Sequence, residues 1–164
     1  MHSYKGVSEA KKDYVVTLAA ESSAKVGEEF YHEKVPEECK ECELFQICMK
    51  NLSNNRFYQI IEVKEDIAHK CPKGLHEEDL RVIKVRECPL EITFPVRKAF
   101  EGILLKYHPQ PCIEKECKYY EICNPPQSTI AQGTPVKVIR ILKKLKIECK
   151  FKRDLGLLIV KREN

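Results

Sequence analysis

Residues 39–48 read CKECELFQIC, and residues 112–123 read CIEKECKYYEIC. Cys42 and Cys48 recur as Cys117 and Cys123, each 75 positions later, so that CELFQIC aligns with CKYYEIC. Working outward, Tyr31-His32 matches Tyr107-His108 and Arg86-Glu87 matches Arg162-Glu163, each 76 apart. Thr17, in VVTL, matches Thr93, in EITF. Length differences fall where loops absorb them: two residues separate Cys39 from Cys42, four separate Cys112 from Cys117. From Cys48 to Cys71 there are 22 residues, from Cys123 to Cys149 there are 25. The order of matches divides the 164 residues into a tail, 1–13, a first repeat, 14–88, and a second repeat, 89–164.

Within each repeat the apolar pattern has period two. RFYQIIEV (56–63) and DLRVIKVR (79–86), with partners PVKVIRIL (135–142) and LGLLIVKR (155–162), are rich in β-branched and aromatic residues and predict strands. Two more strands per repeat precede the cysteines: YVVTLA and EEFYH, then LEITF and ILLKY. Only the segments around Cys42–Cys48 and Cys117–Cys123 suit a helical turn. The expected fold is mainly β with minor helix, about four strands per repeat, the cysteine loop lying between the second and third strands. Asn54-Asn55 predicts a turn, because asparagine tolerates the left-handed conformation.

Composition narrows the function classes. With 43% hydrophobic and 33% charged residues the chain folds rather than staying disordered. MHSYKGVSEAKKDY lacks the apolar run of a secretory leader, and no stretch approaches the roughly 18 apolar residues of a membrane span. A cytoplasmic protein without membrane contact is expected, and nine cysteines in that setting point to metal. Eight of them form two equivalent sets, Cys39, Cys42, Cys48, Cys71 and Cys112, Cys117, Cys123, Cys149. Four thiolates suit either tetrahedral zinc or a four-iron cluster. The long Cys-x5-Cys step and the solitary fourth cysteine fit two [4Fe–4S] clusters better than zinc knuckles, with two zinc ions as the alternative and redox thiols or disulfides as a third reading. Cys88 has no counterpart and is read as a small half-buried residue. His32 and His108 are read as packed strand-end histidines rather than ligands.

The order VTL, AKVGEEF, CKEC-x5-C, NNRFYQIIEV, HKC, then LEITF and a second cysteine set resembles the archaeal uncharacterised protein family 0179, over nearly the whole chain from Tyr14 to Glu163. The resemblance implies two cysteine clusters of iron–sulfur redox type, with the eight paired cysteines as their ligands. It implies no catalytic residue.

Enzyme signatures are missing: there is no phosphate-binding glycine loop, no dinucleotide fingerprint, no HExxH and no nucleophile elbow. Charge is unevenly spread, net −4 over residues 14–88 and net +7 over 89–164. The second repeat owes this largely to the segment 137–153, eight basic residues against Glu148 alone. Within it Lys143, Lys144, Lys146, Lys150, Lys152 and Arg153 are candidate phosphate contacts for RNA or DNA. A solvated basic face and compensation of an anionic cluster are the competing readings. Two functions follow. One is a two-cluster protein in electron transfer, redox sensing or an accessory role, with an unidentified redox or protein partner. The other is a zinc-stapled, β-rich nucleic-acid-binding module.

Overall fold

The structure, a computed structural model, describes residues 13–146 and 148–163. Of the 1–13 tail, only Asp13 lies within the described residues. The chain divides into two compact units between Cys88 and Pro89. The protein is mainly β, and each unit is built on one four-stranded antiparallel sheet.

In the first unit β1 (Val15–Ala20), β2 (Glu29–His32), β3 (Arg56–His69) and β4 (Leu80–Glu87) are ordered β1-β4-β3-β2. In the second, β5 (Leu90–Pro95), β6 (Leu104–Lys106), β7 (Pro135–Lys144) and β8 (Leu155–Arg162) are ordered β5-β8-β7-β6. The cysteine loops contribute α1 (Phe45–Cys48) and α2 (Tyr120–Cys123), each a single helical turn between the second and third strands of its unit.

Ladder register fixes the repeat at 75 residues. Val15 pairs with Val85 and Leu90 with Val160; Ala20 pairs with Leu80 and Pro95 with Leu155. The matches 76 apart are therefore one residue out of step, and a one-residue slip in a strand moves a side chain to the other face. Thr17 stands opposite Ile83 and Thr93 opposite Leu157, yet both strands carry their cysteine loops: the Thr17 hydroxyl donates to the Cys48 carbonyl at 2.6 Å, and α2 packs on β5, the strand of Thr93. Likewise His32 aligns with Tyr107, both buried, while Tyr31 and His108 are exposed. His32 is thus packed inside, as expected, and His108 is not.

β8 is buried on both faces from Leu155 to Leu158, which explains its continuous apolar run, whereas in β4 buried Leu80, Val82, Ile83 and Val85 alternate with half-buried Arg81 and Lys84. Leu158 and Val160 enter the second unit's main core with Ile92, Phe94, Tyr107, Val136 and Val138; Leu155 and Leu157, on the alternate face, pack with Tyr119 and Leu145 under the cysteine loop. Among the described residues the first unit's core cluster is smaller, with Tyr58, Ile60, Ile83 and Val85 at its centre. A β-bulge interrupts each central ladder at the same place, after Ile60 and after Val138. β3 also runs six residues beyond the expected strand, to His69. Its pairing jumps from Lys64↔Val82 to Ala68↔Arg81, so residues 65–67 form an exposed bulge whose polarity hid the strand's continuation.

Candidate metal centre

Each cysteine loop winds by successive tight turns. In the first unit, the Cys39 N–H donates to the Pro36 carbonyl, Cys42 to Cys39, Phe45 to Cys42, and Cys48 to Leu44. In the second, Cys117 donates to Glu114, Tyr120 to Cys117, and Cys123 to Tyr119. Turning this tightly leaves backbone N–H groups facing sulfur. Leu44 N–H lies 3.4 Å from Cys42 Sγ, and its equivalent, Tyr119 N–H, lies 3.5 Å from Cys117 Sγ. Glu114 N–H adds a 3.4 Å contact to Cys112 Sγ. Such contacts stabilise thiolates.

The fourth cysteine of each set arrives from the sheet, just beyond β3 or β7. It is followed by a turn closed three residues on, where Gly74 and Lys152 donate to the Cys71 and Cys149 carbonyls. Both closing residues are left-handed, with φ of 69° at Gly74 and 52° at Lys152. Glycine adopts this freely, whereas lysine does so at a cost. Asn55, in the expected Asn54-Asn55 turn, has φ 57°.

These elements bring the eight paired cysteines to two hollows. Cys39, Cys42, Cys48 and Cys71 line one, and Cys112, Cys117, Cys123 and Cys149 line the other, each hollow about 450 Å³ with open solvent included. All nine cysteines are free thiols, and Cys88 lines neither hollow. The sulfurs stand around the hollows; among the described residues no three His, Cys, Asp or Glu side chains meet closely enough to grip a single ion.

Mutual proximity is visible in the acidities. Burial, and then the neighbouring Cys39, Cys42 and Cys71, push the Cys48 thiol up to about 11. Burial also raises Cys123, the hydroxyl of Thr93 opposes that, and Cys117, Cys112 and Cys149 reinforce it. At Cys71 burial is outweighed by the backbone N–H groups of Lys73, Leu75, His76 and Gly74, and the thiol falls below its ordinary range. Neighbouring sulfurs that push Cys48 and Cys123 up are a poor arrangement for free ions and a good one for a shared cation. By its chemistry the donor set suits an iron–sulfur cluster or zinc, and the sulfurs stand around a hollow rather than converging on one point.

The basic segment takes part in the second site. Lys143 pairs with Glu148 at 3.1 Å and lies 5.3 Å over the Tyr119 ring. Lys150 pairs with Glu114, and Arg153 donates to the Pro111 carbonyl at 2.6 Å. Three of the six candidate phosphate contacts thus bind the cysteine loop of their own unit, while Lys144, Lys146 and Lys152 are exposed. Glu148, next to Cys149, accepts from the Tyr119 hydroxyl at 2.5 Å and pairs with Lys118 and Lys143, each at 3.1 Å. These three donors hold its carboxyl down at about 2. Sequence reading missed Tyr119 and Glu114 as partners, because the fold brings them from 29 and 36 residues away.

The molecule is thus a duplicated β protein with one four-cysteine hollow per unit. Residues 15–160 match the family model described as Uncharacterised protein family (UPF0179), and the chain belongs to that family. It is 34% identical to the UPF0179 protein MJ1627 of Methanocaldococcus jannaschii over 149 residues, 91% of this chain and 95% of that one. It is 34% identical to the UPF0179 protein of Pyrobaculum arsenaticum over 128 residues, 78% and 71% of the two chains. With the UPF0179 protein Mbar_A0292 of Methanosarcina barkeri the identity is 31% over 145 residues, 88% and 94%. No solved structure matches the chain.

Proposed function

We propose that each unit holds one [4Fe–4S] cluster on its four cysteines, and that the protein is a two-cluster redox protein of the cytoplasm, in electron transfer, redox sensing or an accessory role. One observation carries this. Cys39 and Cys71, 32 positions apart, come to the same hollow with Cys42 and Cys48, and the second unit repeats the gathering with Cys112, Cys117, Cys123 and Cys149. A cluster bound there supplies one-electron chemistry. The chain's own contribution is to hold four thiolates against their mutual repulsion, through the N–H contacts to Cys42, Cys71, Cys112 and Cys117 and the apolar floor of Tyr119, Leu145, Leu155 and Leu157. Among the described residues no helix is long and apolar enough to cross a membrane.

Two zinc ions on the same ligands are the alternative, with nucleic acid bound by the second unit. The ion pairs of Lys143 and Lys150 and the Arg153 carbonyl contact weigh against that partner, since side chains engaged locally release fewer counterions from a phosphate backbone. The deciding test is an absorption spectrum after purification without oxygen. Sulfide-to-iron charge transfer gives broad visible absorption that dithionite bleaches. A colourless protein, still colourless after anaerobic reconstitution with iron and sulfide, contradicts the cluster reading, because zinc with its filled d shell absorbs nothing there.

A further inference from the structure

Three buried hydrogen-bonding atoms of the second unit have no partner among the described residues: Thr93 Oγ1, Tyr107 Oη and Asn124 Nδ2. All three can donate. Thr93 and Tyr107 are each 1% exposed, and Asn124 directly follows Cys123 in the chain. Buried donors are normally satisfied, so these orphans call for an acceptor. Cys123 lies beside them: the helical turn that carries it packs on β5, the strand of Thr93; Leu157, opposite Thr93, belongs to the cluster that Cys123 packs against; and the Gln110 N–H, three residues after Tyr107, donates to the Cys123 carbonyl at 2.9 Å. In keeping with this, burial and then the Cys123 sulfur push the Tyr107 phenol up. A neutral thiol is a feeble acceptor, whereas a thiolate bonded to metal keeps charge density that accepts strongly. The 75-residue register adds an independent observation. The position of Tyr107 is held in the first unit by His32, whose Nε2 is also buried without a partner.

Resting on the two-cluster reading, we propose that Tyr107 and Thr93 are positioning residues that donate hydroxyl hydrogen bonds to the Cys123 sulfur of the metal-loaded second site, and thereby set that site's reduction potential apart from the first's. Hydrogen bonds to a ligating sulfur stabilise the more negative, reduced state and raise the potential. The hydroxyls serve the second site alone, so their removal separates the two sites.

The test is a dithionite titration of the reconstituted full-length protein, followed by electron paramagnetic resonance. Wild type is compared with Tyr107→Phe and Thr93→Val, each of which removes a hydroxyl while nearly keeping the side chain's volume. A Cys39→Ala background, lacking the first cluster, assigns the steps. The expected result is that each variant lowers the second site's midpoint, the double variant lowers it further, and the first site's midpoint stays in place. Iron and sulfide content stays at the wild-type level. Both midpoints unchanged in both variants, with both clusters present, overturns the assignment of these hydroxyls while leaving the clusters standing. A wild type that takes up no iron and sulfide overturns both. If Tyr107→Phe fails to load, Thr93→Val decides alone, because its methyl-for-hydroxyl exchange leaves packing intact.

Discussion

The two units share a register, a bulge and a pattern of cysteine turns, yet they support their hollows by different means. Among the described residues, the second rests on a core cluster of nine buried residues with a second cluster of Tyr119, Leu145, Leu155 and Leu157 beneath the cysteine loop; the first has a cluster of four, with Leu44, Phe45, Leu75 and Leu80 lining its hollow. The residue before the fourth cysteine is Lys70 in one and Glu148 in the other. Lys70 pairs outward to Asp79, whereas Glu148 collects Tyr119, Lys118 and Lys143. Duplication preserved what holds sulfur and let the surroundings diverge. The thiol geometry is therefore the constrained feature, and the charge around it is adjustable.

Metal removal should expose the difference in cores most strongly. A unit with a thin core depends more on its metal, since metal binding energy is folding energy. Hydrogen exchange on the chelated protein should show β3 and β4 amides losing protection by about tenfold or more, while β7 and β8 keep most of theirs. Equal loss in both units would mean that core size does not govern the dependence.

The left-handed turns after Cys71 and Cys149 give a smaller contrast. Gly74→Ala places a Cβ at φ 69° and should cost about 1 kcal/mol, whereas Lys152→Gly relieves strain at φ 52° and should gain about 0.5 kcal/mol or less after glycine's entropy is counted. Denaturant midpoints measure both. Shifts in the same direction would show that the two turns are not equivalent.

The smallest effect concerns pH. Glu148 has its carboxyl depressed to about 2 against an ordinary value near 4.5. A carboxylate with a lowered folded-state pKa stabilises fully above its unfolded value, and the contribution fades as pH falls from 4.5 towards 2. Glu148→Gln should flatten that part of the second unit's stability profile and leave the first unit's profile unchanged. Because the pairs are solvent-exposed, the difference should also shrink in high salt.

The duplication, the β class and the grouping of eight cysteines into two sets were legible because cysteine identity and period-two patterning survive divergence. The register was not. Thr17/Thr93 and Tyr31-His32/Tyr107-His108 share residue identity at 76, but hydrogen-bonded ladders count to 75, and only pairing reveals which face a side chain takes. Lys152 concealed a left-handed turn that Gly74 would have announced. The local partner of Lys150, Glu114, gave no sequence signal because it lies 36 residues away. The orphaned hydroxyls of Thr93 and Tyr107 carry no sequence signal, since their meaning depends on burial.

Iron and acid-labile sulfide content after anaerobic reconstitution, in wild type and in Cys48→Ala, decides whether each unit carries one cluster on its four cysteines. About eight iron and eight sulfide are expected per wild-type chain, falling to about four of each in the variant. Cys88→Ala should keep all eight. About two zinc ions and no sulfide in wild type, or a Cys48→Ala protein that retains both sites, would contradict the two-cluster reading.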